Sequence, residues 1–105
     1  MQTLPLEDEL LRKVADGTKR GTIRLGRRDV ELGPLLLEPT SGTGWAVTVA
    51  VQRVAFCLVG DLTDADAIID GCPSRAALVE NLTRFYPHVT DSDTATVISF
   101  HPLTA

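Results

Sequence analysis

The chain has 105 residues, 44% of them hydrophobic and 23% charged, a composition that favours one ordered domain over residues 1–105 and excludes a second. It has no apolar stretch of the roughly 18 residues that a membrane span needs, and acidic residues stand where a secretory signal carries basic ones, so we expect a cytoplasmic protein without a membrane partner. The net charge of −4 alone argues against a nucleic-acid partner, and Cys57 and Cys72 lack the spacing of a zinc site, so we expect free thiols and no metal.

The first third of the chain predicts a helix followed by two strands. Leucine and valine recur at helical spacing behind an acidic first turn, which predicts a helix over residues 6–16. Polar and apolar residues then alternate over residues 22–25, which predicts a strand with Thr22 and Arg24 on the same face. A short apolar run over residues 35–37 predicts the next strand.

The segment 45–59 is strongly β-forming, but it is too long for one flat strand. Its large apolar residues fall at odd positions in the first half and at even positions in the second half. One extra residue in a strand swaps its faces, so the pattern predicts a β-bulge near Gln52-Arg53.

The last third predicts two helices and a final strand. Thr63 begins a capping box, and the helix that it starts is expected to stop at Gly71. A third helix is expected from Ser74 to just before Pro87, with Leu78, Leu82 and Phe85 on one stripe. The final strand is expected over 94–101. This order of elements predicts an α+β domain rather than a doubly wound sheet.

Positive charge is concentrated in one segment. Seven of the ten Lys and Arg residues lie between positions 12 and 28, where Asp16 is the only acidic residue. Such a cluster is typical either of a solvated basic hairpin or of an anion-binding surface, and the pattern leaves both interpretations open.

Within this segment, Gly17 and Gly21 bracket Lys19 where a helix gives way to a strand. Glycines there allow the backbone to approach a ligand closely. The pKa of a lysine falls on desolvation or beside another cation, and Arg20 and Arg24 supply such cations.

The hydroxyl of Thr22 lies three positions after the amine of Lys19 in the sequence. Lys19 in its neutral form has the chemistry to take a proton from Thr22, which is inert as a nucleophile without an adjacent base. On the pattern alone, a plain loop and hairpin remains the alternative.

The pattern Gly-x-Lys-x-x-Thr-x-Arg at Gly17, Lys19, Thr22 and Arg24 resembles the signature of the ASCH family. The landmarks after it, the helix start Leu62-Thr63-Asp64, the Phe85-Tyr86-Pro87 segment and a Val-Ile-Ser-Phe final strand, follow in a compatible order. The similarity spans about residues 6 to 102.

The resemblance implies an α+β fold, a PUA-like small mixed β-barrel flanked by about three helices, which is associated with RNA-binding and RNA-modifying proteins. Some small members are amidohydrolases that deacylate the free nucleoside N4-acetylcytidine without a metal or cofactor. Their roles, carried over, make Lys19 the proton acceptor, Thr22 the nucleophile and Asp70 the proton donor. Asp70 stands where those members have a glutamate, and its alternative is an ordinary residue at a helix end.

The partner implied is a modified nucleoside or RNA, with Arg24, Arg20 and Gly21 expected to bind it. Arg24 has the alternative of pairing with one of three acids, Asp61, Asp64 or Asp66. Trp45 and Tyr86 have the chemistry to stack on a base, although their positions favour core packing. Two other functions stay open: an RNA-binding module without catalysis, and a ribonuclease acting on single-stranded RNA.

Overall fold

The structure is a computed structural model that describes residues 1–42 and 44–103. Five strands and three helices form it, with a single 3-10 turn at Val59–Asp61. The bounds in chain order are β1 (Thr3–Leu6), α1 (Asp8–Ala15), β2 (Gly21–Leu25), β3 (Gly33–Pro39), β4 (Val47–Leu58), α2 (Asp64–Ile69), α3 (Arg75–Phe85) and β5 (Thr94–Pro102). No helix in the described ranges is long and apolar enough to cross a membrane.

The strands make one mixed sheet in the order β1-β3-β4-β5-β2. β1 runs parallel to β3, and the other neighbouring pairs are antiparallel. The sheet curls into a half-barrel accompanied by three helices, which confirms the expected α+β fold with a small mixed barrel. One hydrogen bond links its two edge strands: Nη2 of Arg24 on β2 donates to the carbonyl of Pro5 on β1 at 2.6 Å.

The bend in the long strand is confirmed. The register between β4 and β5 shifts between Val51 and Arg53, which leaves Gln52 as the extra residue. Before the shift, Val51 faces the core; after it, the even-numbered Phe56 and Leu58 point outward and are exposed. The apolar period therefore located the bulge, but it did not tell which face of the second half is buried.

The N-terminus differs from the prediction. Residues 3–6 form β1, and the first helix begins at Asp8 rather than at residue 6. The strand owes its form to pairing with β3, where Thr3 lies opposite Leu36, so nothing in the local sequence specifies it. Pro5 is tolerated because β1 is an edge strand, where a missing N–H breaks no ladder.

Two apolar clusters pack on the sheet, one on each face. α1 contributes Leu11 and Val14 to the first cluster, together with residues of β3, β4 and β5. α2 and α3 cover the second cluster, which includes Ile23 of β2. β2 is an edge strand of this sheet, and it carries the motif residues Thr22 and Arg24.

Local capping sets the ends of α2 and α3. The Thr63 hydroxyl accepts from the Asp66 N–H, and the Asp66 carboxylate accepts from the Thr63 N–H, so the predicted capping box is confirmed. α2 ends at Ile69, with Asp70 as its C-cap and Gly71 in the left-handed region at φ 86°.

The stripe of α3 is buried only in part. Leu78 and Leu82 are buried, whereas Phe85, at the last position of the helix, is exposed and lines the cleft.

Gly21 at the start of β2 is in close contact with two neighbours. A Cβ there would collide with the side chain of Ile69 and with the carbonyl of Ile98. We expect Gly21→Ala to lower the free energy of unfolding by about 2–3 kcal/mol, because the backbone cannot move away cheaply.

Gly26→Ala is the matched control for this substitution. Its Cβ would point into open space, and only its positive φ of 83° carries a cost, of about 1 kcal/mol. Urea denaturation of both variants measures the difference. Equal losses would show that the contacts of Gly21 with Ile69 and Ile98 add no cost to a Cβ at this position.

Candidate active site

A cleft of about 690 Å³ lies along the edge strand β2. Its walls come from the β1–α1 corner, from the segment Asp70–Pro73 after α2, and from α3. Lys19, Thr22 and Arg24 line it together, so three of the motif residues meet in one cavity. Its volume falls within the range of about 300–1,000 Å³ that is typical of small-ligand sites.

Lys19 is buried beneath the cleft, with 2% of its surface exposed. Its Nζ donates a hydrogen bond of 2.5 Å to Oδ1 of Asp70 and one of 3.1 Å to the Asp70 carbonyl. That carbonyl belongs to the C-cap of α2, where a cation is favoured. One ammonium group therefore satisfies both the carboxylate and the end of the helix.

Asp70 accepts three hydrogen bonds through its carboxylate. Besides Lys19, the backbone N–H of Ile23 donates to Oδ1 at 3.2 Å, and the thiol of Cys72 donates to Oδ2 at 3.7 Å. An acid at the C-terminal end of a helix is unfavourable unless such donors stabilise it. The aspartate is one methylene shorter than a glutamate, yet it reaches the lysine directly.

Burial lowers the pKa of Lys19, because the charged form loses its solvation. The negative charge of Asp70 and its hydrogen bond act in the opposite direction, and Arg24 adds a smaller lowering effect. The sequence correctly predicted a lowered pKa for Lys19, but it attributed the lowering mainly to the neighbouring arginines. Desolvation exceeds the repulsion by Arg24, and Arg20 is not among the causes.

Thr22 is almost completely buried, on the same strand face as Arg24. Its Oγ1 accepts a hydrogen bond of 3.4 Å from Nε of Arg24. Within residues 1–42 and 44–103, the hydrogen bonds of the Lys19 ammonium go to Asp70 and none goes to Thr22. Lys19 and Thr22 thus share the cleft but are not hydrogen-bonded to each other.

Arg24 is held in the cleft by its contacts with Pro5 and Thr22. Burial lowers its pKa. The alternative interpretation, an ion pair with one of three acids (Asp61, Asp64 or Asp66), does not occur in the described part of the chain. Arg75 binds that region instead, since its backbone N–H donates to Asp64.

Arg20 and Gly21 lie outside the lining of the cleft. The Arg20 side chain is exposed, while the Arg20 backbone bonds to Ile69 and Phe100. Gly21 is buried against Ile69. The structure therefore brings Arg24 to the cleft but not the other two residues that the sequence assigned to substrate binding.

Tyr86 lines the cleft and is half-buried, and it packs against the second apolar cluster. Trp45 lies away from this cleft and is exposed, so its predicted place in the core was wrong. The loop before Trp45 contains two glycines with positive φ, Gly42 and Gly44.

The sequence did not single out α3 or Cys72 as parts of the site. Asn81 on α3 lines the cleft and its Nδ2 donates a hydrogen bond of 3.3 Å to Sγ of Cys72. A signal existed for Asn81, because it lies three residues after the buried Leu78, on the same face of α3, where an asparagine is unusual. The sequence did not predict its partner Cys72, because this cysteine belongs to no motif with a recognisable spacing.

The cleft carries balanced charge. Four cationic and four anionic side chains line it, namely Lys13, Lys19, Arg24 and Arg84 against Glu7, Glu9, Asp70 and Glu80. The described residues contain no group of three or more His, Cys, Asp or Glu side chains arranged to hold a metal ion.

An ASCH domain from Lactobacillus crispatus JV V101 superimposes on 96% of this chain and 79% of its own, with a TM-score of 0.78 and 12% sequence identity. The protein has the ASCH-domain fold. An ASCH protein from Zymomonas mobilis, solved as a point mutant, matches 95% of this chain and 68% of its own, with a TM-score of 0.67 and 11% identity.

A further solved structure is similar to this chain over nearly its whole length. Protein PF0455 from Pyrococcus furiosus matches 99% of this chain and 98% of its own, with a TM-score of 0.55 and 16% identity. No protein-family model matches the sequence, and neither does a curated protein. At these identities the similarity establishes the fold, so the function rests on the cleft.

Proposed function

We propose that the cleft hydrolyses the exocyclic amide of an N4-acylated cytidine, such as N4-acetylcytidine. Lys19 acts as the base, Thr22 as the nucleophile and Asp70 as the acid. The observation that carries the proposal is the buried Lys19–Asp70 pair, joined at 2.5 Å in the same cleft as Thr22.

The pair supplies a base and an acid at once. When one proton moves from Lys19 to Asp70, the ion pair becomes a neutral amine and a neutral carboxylic acid. Burial brings this neutral form closer in free energy to the ion pair, because two charges in a desolvated site lose their hydration. The lowered pKa of Lys19 has the same origin.

Acyl transfer then proceeds in two steps. Lys19 takes the hydroxyl proton of Thr22 as the Thr22 oxygen attacks the acyl carbon, and Asp70 gives its proton to the exocyclic nitrogen as the C–N bond breaks. Water next attacks the acyl-Thr22 ester and loses a proton to Asp70, while Lys19 returns its proton to the Thr22 oxygen. Cytidine and the carboxylic acid leave, and the pair is restored.

Arg24 stabilises the threonine during these steps. Its Nε donates to Oγ1 of Thr22 at 3.4 Å, so the lone pair that remains on the oxygen is free for attack. The guanidinium also lies beside the negative charge that develops on the acyl oxygen, where a fixed cation lowers the barrier most.

The balanced charge of the cleft favours an uncharged nucleoside over a polyanion as its ligand. RNA binding is the second candidate function, and a different observation favours it. The side chains of Arg12, Arg20, Arg27 and Arg28 are exposed on the basic segment, outside the lining of the cleft. Such a surface attracts phosphates irrespective of sequence.

Incubation with N4-acetylcytidine and, separately, with short single-stranded RNAs tests both candidates. We expect cytidine to appear, and we expect kcat/KM to change less than about twofold between about 50 and 200 mM salt, a range over which phosphate-dependent binding falls steeply. If the protein binds RNA but releases no cytidine from N4-acetylcytidine, the second candidate is established. If the RNAs are cut into fragments, the protein is a ribonuclease.

The pH dependence of deacylation is expected to be bell-shaped. The active pair holds one proton: a second proton at low pH removes the base, and loss of the last one at high pH removes the acid. The two midpoints belong to the pair rather than to either residue. Because burial lowers the pKa of Lys19, the alkaline limb should fall at a lower pH than a solvated lysine would give. A rate that rises without limit at high pH would contradict a shared proton.

A further inference from the structure

Cys72 is a buried thiol in the cleft that the proposed mechanism does not use. It lies at the centre of a chain of contacts from α3 to the lysine. Nδ2 of Asn81 donates to Sγ of Cys72 at 3.3 Å, the thiol donates to Oδ2 of Asp70 at 3.7 Å, and Oδ1 of Asp70 accepts from Lys19.

The two oxygens of the Asp70 carboxylate have different partners. Oδ1 accepts from both Lys19 and the Ile23 N–H, and Oδ2 accepts from Cys72. Donors on both oxygens fix the plane of the carboxylate, whereas donors on one oxygen alone leave the group free to turn about its last torsion. The thiol therefore decides whether Oδ1 stays against the lysine.

The protonation state of Cys72 agrees with this geometry. Burial and the nearby charge of Asp70 both raise the pKa of the thiol. It remains an S–H donor at neutral pH, and its sulfur lone pairs are the acceptors for Asn81. A thiolate in the same place would repel the carboxylate.

We propose that Cys72 and Asn81 are positioning residues that hold the Asp70 carboxylate in register with Lys19. This inference rests on the proposed deacylation, because it assigns the two residues to the acid of that reaction. They contact Asp70 or each other and not the reacting atoms, so they act through the pair.

The test compares Cys72→Ala, which removes the donor, with Cys72→Ser, which keeps one. Cys57→Ala is the matched control, since Cys57 is a half-buried thiol on β4 that does not line the cleft. We expect Cys72→Ala to lower kcat about tenfold with KM unchanged, because the acid is no longer held in place. Cys72→Ser and Cys57→Ala should both keep most of the rate. Asn81→Ala should lower kcat less than Cys72→Ala does.

A second readout does not depend on activity. The 15N resonance of the Lys19 Nζ, followed with pH, should titrate at a lower pH in Cys72→Ala, since a carboxylate that is no longer held in place attracts the ammonium less. If this shift occurs in Cys72→Ala and not in Cys72→Ser, it supports the positioning role. This holds even if neither the parent protein nor any variant releases cytidine. An unchanged titration in Cys72→Ala would overturn the inference, as would equal losses of kcat in the alanine and serine variants.

Discussion

Lys19→Met is expected to lower the rate of N4-acetylcytidine deacylation by about a thousandfold, because it removes the general base. Methionine is similar to lysine in length and fits the buried site, but it leaves the Asp70 carboxylate without its cation, so we expect a folded protein of lower stability. Thr22→Val, which replaces the hydroxyl with a methyl group of similar size, should cause a comparable loss. The double variant should be little slower than either single one, since base and nucleophile act as a unit.

Arg20→Met is the control for these variants. This variant removes a positive charge that lies next to Lys19 in the sequence but is exposed and outside the cleft. Its deacylation rate should stay within about twofold of the parent rate, because a surface charge of this kind contacts no reacting atom. Initial rates of cytidine release, with thermal melting of each variant, make the comparison. A Lys19→Met protein that is folded and retains activity would rule out the mechanism.

Asp70→Ala is expected to lower the free energy of unfolding by about 3 kcal/mol, which is typical when one partner of a buried ion pair is removed. The substitution leaves the buried Lys19 ammonium without its carboxylate, and it also removes the acceptor of the Ile23 N–H. Lys19→Met combined with Asp70→Asn should recover most of the loss, because no buried charge remains and the asparagine oxygen still accepts from Ile23.

Asp91→Ala is the matched comparison for stability. Asp91 is 83% exposed and lies 3.9 Å from the Arg75 guanidinium, so this surface pair is worth less than about 1 kcal/mol. Urea denaturation of the three variants gives the free energies. Equal effects of Asp70→Ala and Asp91→Ala would show that burial adds nothing to the Lys19–Asp70 pair.

Short-range patterns in the sequence located several elements correctly. The phase slip at residues 52–53 predicted the bulge of β4, since the two-residue period of a strand allows no other simple explanation. The spacing of Thr63 and Asp66 predicted the start of α2, because a capping box is completed within one helical turn.

Long-range contacts account for what the sequence did not predict. β1 exists because Thr3 pairs with Leu36, more than thirty residues away. The resemblance to the ASCH family predicted that Lys19, Thr22 and Asp70 form one site. The burial of the lysine could be learned only from the fold. Distance along the chain likewise concealed the contacts of Cys72 with Asp70 and of Arg24 with Pro5.

Titration of Lys19 itself tests the central claim most directly. With 15N-labelled lysine, the Nζ resonance that disappears in Lys19→Met can be followed with pH in the parent protein. We expect its midpoint below the ordinary pKa of a solvated lysine, because the effect of burial exceeds the attraction of Asp70. A midpoint at or above that ordinary value would mean a permanent ammonium ion, which cannot take the proton of Thr22.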